Sequence, residues 1–529
     1  VASALGPLVG ASTMETLFQI LRRAQYRYRL QNELPGPPEP AGNLSFSEFW
    51  TRVLDATEDV ESFVEDWFDD DDERLSVRQL SACEIEEWIG RNTFGKPLSE
   101  LPSQQRDEVA TMRGDLEAKL GHSFDAERAA VKVKEERTSF IAPAAEPVTA
   151  KQHPLLLYAL LEVRRSRHRA KLRAAGFARS ANKNRSFACW IRAASSRKAP
   201  IVFAHGIGTG LFPYEKFIEE LVARTEPERP LVLLEVPSIS TTLASPTLAS
   251  GEVLAADVRD VLRSEALLRG SSLRENESSS SDELPAGCVF VAHSFGSALA
   301  SFLAKYEPEV LRSVVLVEPV CFLLNLAKCT KRVLYQEKSK QVWDPILDLV
   351  ATDPGNAYAL RRCLWWHQAM LLADDLVPCL DAPSTVFLAE NDKIVPSQEV
   401  ARYLDPYTQR RGSFFRGFGT RWYWDTAPGG GRRLPLTVSH FRDAGHGRWQ
   451  HTPDHVHQVV DAALAGARGV DASLSSSTRS LSPANRRRAL QASLARFRHA
   501  IDEAPLVIKS KVLDDLLPLL RRPSSSSSS

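Results

Sequence analysis

Between Pro200 and about Val460, short apolar runs bounded by turn residues alternate with helical stretches, and this constrains the fold of the 529-residue chain more than any other feature. The runs are Ile201–Ala204, Leu231–Val236, Cys288–Ala292, Ser313–Val317, Thr385–Ala389 and Leu436–Val438. Strands separated by helices cross over and return in parallel, and a short run that is apolar throughout suits a strand covered on both faces. A mostly parallel sheet with helices on both faces is therefore expected.

Upstream the pattern is helical. After a break at Pro35, Pro37, Pro38 and Pro40, apolar residues recur every three or four positions: Phe46, Phe49, Trp50, Val53, Leu54, then Val60, Phe63, Val64, Trp67, Phe68. That spacing puts them on one stripe of a helix or helix pair. A second pattern runs through Val77, Leu80, Ile85, Trp88 and Ile89. A third runs through Val109, Met112, Leu116 and Leu120, with Ser103 as N-cap and Gly121 as C-cap. The acidic run Asp69–Glu73 lacks the spacing of a calcium loop and reads as solvated. The chain thus divides into a partly flexible N-terminal segment (1–43), a helical module (44–150), a basic helix and connector (151–195), an α/β domain (196–465) with a cap at about 319–383, and a low-complexity tail (466–529) with one helix. The module is expected to be structural, packing on the rest of the chain, with partner binding as the alternative.

Within the connector, an apolar helix Leu155–Val163 passes into Arg164, Arg165, Arg167, Arg169, Lys171 and Arg173. Either Leu155, Leu156, Tyr158 and Leu161 are buried with the arginines facing water, or the stretch 155–173 makes peripheral contact with an anionic membrane. No aromatics interleave with the arginines, and Lys plus Arg equals Asp plus Glu at 66 each, so nucleic acid is not an expected partner. Seven scattered cysteines without a C-x-x-C pair suggest reduced thiols inside a cell, and no disulfide framework or structural zinc.

The chemistry concentrates in Cys288-Val-Phe-Val-Ala-His-Ser-Phe-Gly296, an apolar strand running straight into the helix-forming stretch Ser297–Tyr306. A serine at such a turn is held strained with its hydroxyl exposed, provided the residues two before and two after it are tiny; here they are Ala292 and Gly296. The backbone N–H of Phe295 then points at a developing oxyanion. Three other strands end in polar turns: Ile201–Gly208 in a His-Gly turn, Thr385–Pro396 in an acidic turn, and Leu436–Gly447 in a glycine-flanked loop holding His446. His440, His451, His455 and His457 lie nearby, but no carboxylate or cysteine completes a metal set.

These segments, in this order, resemble the α/β-hydrolase superfamily, whose elbow is usually written G-x-S-x-G; Ala292 replaces the first glycine. The chain looks similar to large eukaryotic members, notably fungal ones, with a helical N-terminal extension. The resemblance covers about half the chain and implies an α/β-hydrolase fold with Ser294 as nucleophile, Asp392 as acid and His446 as general base. It also implies oxyanion donors at the backbone of Ile207 and Phe295, with His205, Gly206, His293, Trp365 and Trp366 near the substrate. No cofactor and no metal are expected. Glu318, after the Ser313–Val317 strand, is the rival acid.

A serine nucleophile excludes the branches that use aspartate there and leaves acyl transfer. The segment Glu318–Pro383 carries Phe322, Leu323, Leu324, Trp343, Leu364, Trp365, Trp366 and Met370, which suit a lid over a hydrophobic acyl group. The leading expectation is a hydrolase of a small-molecule or lipid carboxylic ester. A catalytically silent binding or scaffold protein and an acyltransferase using the same serine remain the alternatives.

Overall fold

The computed structural model describes residues 13–26, 36–38, 40, 44–68, 75–124, 140–180, 186–192, 198–243, 247–265, 267–268, 285, 287–335, 344–408 and 436–475. The acidic run Asp69–Glu73, the Ser-rich stretch Ser271–Ser281, Trp343, the aromatic and glycine-rich stretch Gly412–Arg433 and the helix expected near 486–520 lie outside them.

Eight strands form one sheet in the order β1-β2-β4-β3-β5-β6-β7-β8. They are β1 Ala178–Arg179, β2 Ala188–Arg192, β3 Ile201–Ala204, β4 Leu231–Glu235, β5 Cys288–His293, β6 Leu311–Val317, β7 Ser384–Ala389 and β8 Leu436–Phe441. From β4 to β8 every pairing is parallel, whereas β2 runs antiparallel to both β1 and β4. The helices Gly251–Ser264 and Gly296–Tyr306 cover one face, and Glu215–Arg224 and Pro453–Ser475 the other. This strand order and polarity is the α/β-hydrolase fold. Strand order reverses at β3, so β3 and β5 place their carboxyl ends side by side, where ligands bind in open α/β sheets.

The structure departs from the sequence reading in several places. The connector contains β1 and β2, because Cys189, Trp190 and Ile191 are buried along the edge of β4. Residues 13–26 of the N-terminal segment form a helix. The final helix runs on to Ser475, past the expected tail boundary at 466, with Ala467 and Val470 buried in the core beneath it, and it lies so close to β6 that a Cβ at Gly466 would collide with the Ser313 hydroxyl. Ser103 is the first helical residue rather than the cap, a place taken by Pro102.

The helices Phe46–Ala56, Val60–Phe68, Ala82–Phe94 and Ser103–Leu120 pack around Trp50, Phe63, Phe68 and Trp88. Ser45 with Glu48 and Ser81 with Glu84 form capping boxes that satisfy the first free N–H groups of their helices. This cluster is continuous with the cap: Ala327 and Tyr335 are part of it, and Trp366 packs against it.

Candidate active site

β5 ends at His293 and the next helix begins at Gly296, so Ser294 and Phe295 make the whole turn. Ser294 has φ +49°, in the left-handed region that costs a side-chain-bearing residue on the order of 1–3 kcal/mol. Its neighbours hold it there. The Ser294 N–H donates to Val317 O at 3.0 Å, and Ser294 O accepts from Ser297 N–H at 2.9 Å and Ser297 Oγ at 2.6 Å. A Cβ at Gly296 would collide with the Ala204 carbonyl oxygen, which explains the glycine. Ala292, paired with Ala204 and Leu316, is fully buried with room for its methyl group.

The loops after β7 and β8 are stitched together, Glu390 N–H donating to Phe441 O at 3.0 Å and Asn391 N–H to Ala444 O at 2.9 Å. That fixes Asp392 against His446. His446 Nδ1 lies 2.8 Å from Asp392 Oδ2, and its Nε2 lies 2.9 Å from Ser294 Oγ. Asp392 Oδ1 accepts from the N–H groups of Ile394 and Val395 at 2.8 and 2.9 Å, so both carboxylate oxygens are used. The helix Ser397–Leu404 is capped at Pro396 without any side chain, so capping that helix does not account for Asp392.

Glu318 stands behind the same histidine. Fully buried and at φ +47°, it places Oε2 3.8 Å from His446 Nδ1, 3.0 Å from His293 Nε2 and within a hydrogen bond of Gly447 N–H. Burial of the His446 ring opposes its charged form, but Asp392 and then Glu318 outweigh it and push its pKa up to about 9. Asp392 thus makes the hydrogen bond to His446, and Glu318 adds a second negative charge beside it. His293, Glu318 and His446 are also the cluster with metal-ligand spacing among the described residues. His455 instead stacks on Phe441 and His457 pairs with Glu220.

A carboxylate can only accept, so His293 donates to Glu318 through Nε2, and its Nδ1 accepts from the Tyr214 hydroxyl at 2.7 Å. Burial lowers the His293 pKa more than Glu318 raises it, consistent with a neutral ring. The Tyr214 oxygen accepts in turn from Gly206 N–H at 3.0 Å. A buried chain thus links the His446 loop to the glycine turn after β3. A Cβ on Gly206 would sit 2.8 Å from His293 Nδ1, so that turn requires glycine. His205, expected near the substrate, is buried away from the cavity, its ring bonded to Gly206 O and Val236 N–H as a pin for the loop.

Ser294, His446, Gly206, Ile207, His293, Phe295, Trp365 and Trp366 line one cavity of about 820 Å³. Among the described residues, the N–H groups of Ile207 and Phe295 have no hydrogen-bond acceptor, leaving both available to a ligand. Leu324, Val333, Leu360 and Leu364 form an apolar wall. The rest of the lining includes Trp67, Asn92, Pro143 and Ala144 from the helical module, which no sequence pattern marks as part of the site. Trp67 Nε1 donates to Asn325 O at 2.9 Å, and Trp366 Nε1 to Asn92 O at 3.0 Å, locking module and cap together. Nothing in their spacing to Ser294 signals this, since the contact depends on how two helical regions dock.

No protein-family model matches the chain, and comparison with curated proteins returns no significant relative. Solved structures do resemble it. A bacterial membrane phospholipase A aligns with TM-score 0.40 and 15% identity over 59% of this chain and 94% of its own. A carboxylesterase from Bacillus subtilis aligns with TM-score 0.35 and 12% identity over 58% and 99%, and a thermophilic esterase from Thermogutta terrifontis with 0.35 and 14% over 56% and 98%. The fold assignment rests on strand order and polarity, and the functional reading on site geometry.

Proposed function

We propose that the protein is a serine hydrolase that cleaves a carboxylic ester with a hydrophobic acyl group. The observation that carries this reading is the continuous hydrogen-bond chain Asp392–His446–Ser294, which ends at a strained serine facing an apolar cavity. His446 Nε2 takes the Ser294 proton as Oγ attacks the ester carbonyl carbon. The developing oxyanion is met by the N–H groups of Phe295 and Ile207, worth roughly 3–4 kcal/mol per donor in comparable sites. His446 then returns the proton to the leaving alcohol oxygen, giving an acyl-enzyme on Ser294. Water, deprotonated by His446, attacks the acyl carbon, and the C–Oγ bond then breaks as His446 passes that proton to Ser294 Oγ, releasing the acid and regenerating Ser294. Asp392 holds the ring with Nδ1–H toward itself, and Glu318 adds a second negative charge that stabilises the imidazolium.

Labelling by a broad fluorophosphonate probe tests the reading. The wild type is expected to label and Ser294→Ala not to. Equal labelling of both would place the reactive nucleophile elsewhere than Ser294, and no labelling of the wild type at any pH up to 10, a range chosen to pass the His446 pKa of about 9, would favour a silent binding protein.

A further inference from the structure

The connector helix does not follow the burial expected of it. Leu156 is 67% exposed, whereas Arg165 is buried, its guanidinium donating to the carbonyls of Ser240 and Thr241 at 2.6 and 2.7 Å. One arginine therefore anchors the helix Leu155–Ala174, and the opposite side is left outside. Leu156, Leu160, Val163 and Arg167 follow one another by four, three and four positions and share that outer face, with Arg164 beside them. Its first half is apolar and its second half basic. Among the described residues, neither Arg164 nor Arg167 has an acidic partner.

The helix at 13–26 repeats the arrangement. Arg22 is buried, pairs with Asp353 at 3.2 Å and lies 4.2 Å over the Tyr158 ring, while Tyr158 itself donates to Asp353 at 2.6 Å. Glu15 accepts from the Leu155 N–H at 2.9 Å, fastening this helix to the start of the connector helix. Leu17, Ile20 and Leu21 lie exposed on its other side, Leu21 by 61%. The segment leading into the connector helix also runs along the cap helix Pro345–Thr352, Lys151 N–H donating to Thr352 O and His153 contacting Leu349 O. At the start of that cap helix, Ile346 is 72% exposed and lines the cavity that holds Ser294.

We infer that the outer faces of these helices form a docking surface for an anionic lipid bilayer beside the cavity mouth. Charge selects this occupant: an apolar stripe continued by unpaired arginines matches acyl chains under negative headgroups, whereas the same face of a second copy carries, among the described residues, no carboxylate to meet those arginines. The surface is fixed in place, because the buried anchors Arg22, Tyr158 and Arg165 determine which sides face out. Docking would bring a bilayer-borne ester to the cavity, but binding itself does not depend on the esterase reading.

The test is co-sedimentation of the full chain with phosphatidylcholine vesicles containing roughly one third phosphatidylglycerol, a composition chosen to give negative surface charge. The wild type and Ser294→Ala are expected to bind alike, which separates this proposal from the proposed chemistry. Leu17→Glu combined with Leu160→Glu should weaken partitioning by about tenfold or more, since acidic side chains then replace buried apolar area. Arg164→Glu with Arg167→Glu should weaken it on phosphatidylglycerol vesicles and not on pure phosphatidylcholine. No binding by the wild type, or binding that these folded variants retain, overturns the proposal. So does a vesicle-free dimer that the Leu17→Glu/Leu160→Glu change dissolves, because the face would then be covered by a second copy.

Discussion

The cavity has two walls of different origin. One is the carboxyl edge of the sheet, where Ser294, Glu318, Asp392 and His446 follow β5, β6, β7 and β8, and where Ser294, Glu318 and Asp392 are each held by hydrogen bonds to backbone groups and His446 by Asp392 and Ser294. The other is made by the cap and the helical module, where Trp67, Asn92, Trp365 and Trp366 meet across aromatic packing and a few indole hydrogen bonds. Backbone-held walls tolerate little positional error, whereas side-chain packing sets shape and depth. The first wall is therefore expected to govern rate, and the second to govern which acyl group fits.

The largest effect should come from the sheet wall. Ser294→Ala removes the proposed nucleophile and is expected to lower nitrophenyl ester turnover by on the order of a millionfold. The substitution deletes only a hydroxyl, so circular dichroism and melting temperature should stay near wild type. Unchanged turnover would move the chemistry away from β5 and dissolve the distinction between the walls.

Next is the effect of charge. Two carboxylates face one histidine, and His446 must be neutral to accept the serine proton, while its pKa is pushed up to about 9. The sign follows: kcat/KM should be low near neutrality, rise with pH and level off above about 9. Glu318→Gln keeps an acceptor for Gly447 N–H but removes a negative charge, so the inflection should move to lower pH. Each unit of that shift raises the neutral-pH rate by up to about tenfold. A wild-type inflection below neutrality would mean that Glu318 supports the fold without acting on His446.

These two walls also explain what the sequence made legible. A strand ending in a reactive loop is a local pattern, so Ser294, Asp392 and His446 stand out in chain order, and the structure joins them by hydrogen bonds. Ala292 and Gly296 were readable because the elbow's crowding acts on adjacent residues. The role of Glu318 as a second charge was not, since two strands must be laid side by side before Glu318 and Asp392 face one ring. His205 misled for the same reason: its place after β3 resembles a substrate loop, but its ring turns inward to bond Val236. Trp67 carries no mark separating a cavity-lining indole from a module-core indole, and β1 and β2 are too short and polar at their ends to stand out from a connector.

A smaller effect tests the packed wall. Each methylene entering an apolar cavity contributes about 0.8 kcal/mol, or roughly fourfold in binding, so kcat/KM should climb over several carbons of acyl length. Trp366→Ala and Trp67→Ala both remove parts of that wall, and each should shift the optimum chain length. An unaltered series in Trp67→Ala, with stability alone reduced, would return Trp67 to the module core and leave the cap as the sole source of selectivity.

The smallest effect asks whether the packed wall unfolds with the backbone-held one. Ser81 caps the helix Ala82–Phe94, with its N–H and hydroxyl both tied to Glu84 at 2.8 Å. Ser81→Ala should cost about 1 kcal/mol of helix stability. Ser81 does not line the cavity that holds Ser294, so activity at low denaturant should be unchanged. Module and cap are joined by Trp67 to Asn325, Asn325 to Thr57, Trp366 to Asn92, and Arg362 to the carbonyls of Pro143 and Ala144. With these bonds crossing between them, two of them fully buried, the loss is expected to appear as one cooperative shift, with indole fluorescence and esterase activity falling at the same guanidinium concentration. Fluorescence falling first, with activity surviving until a later transition, would show that the module unfolds separately and that the site persists without its far wall.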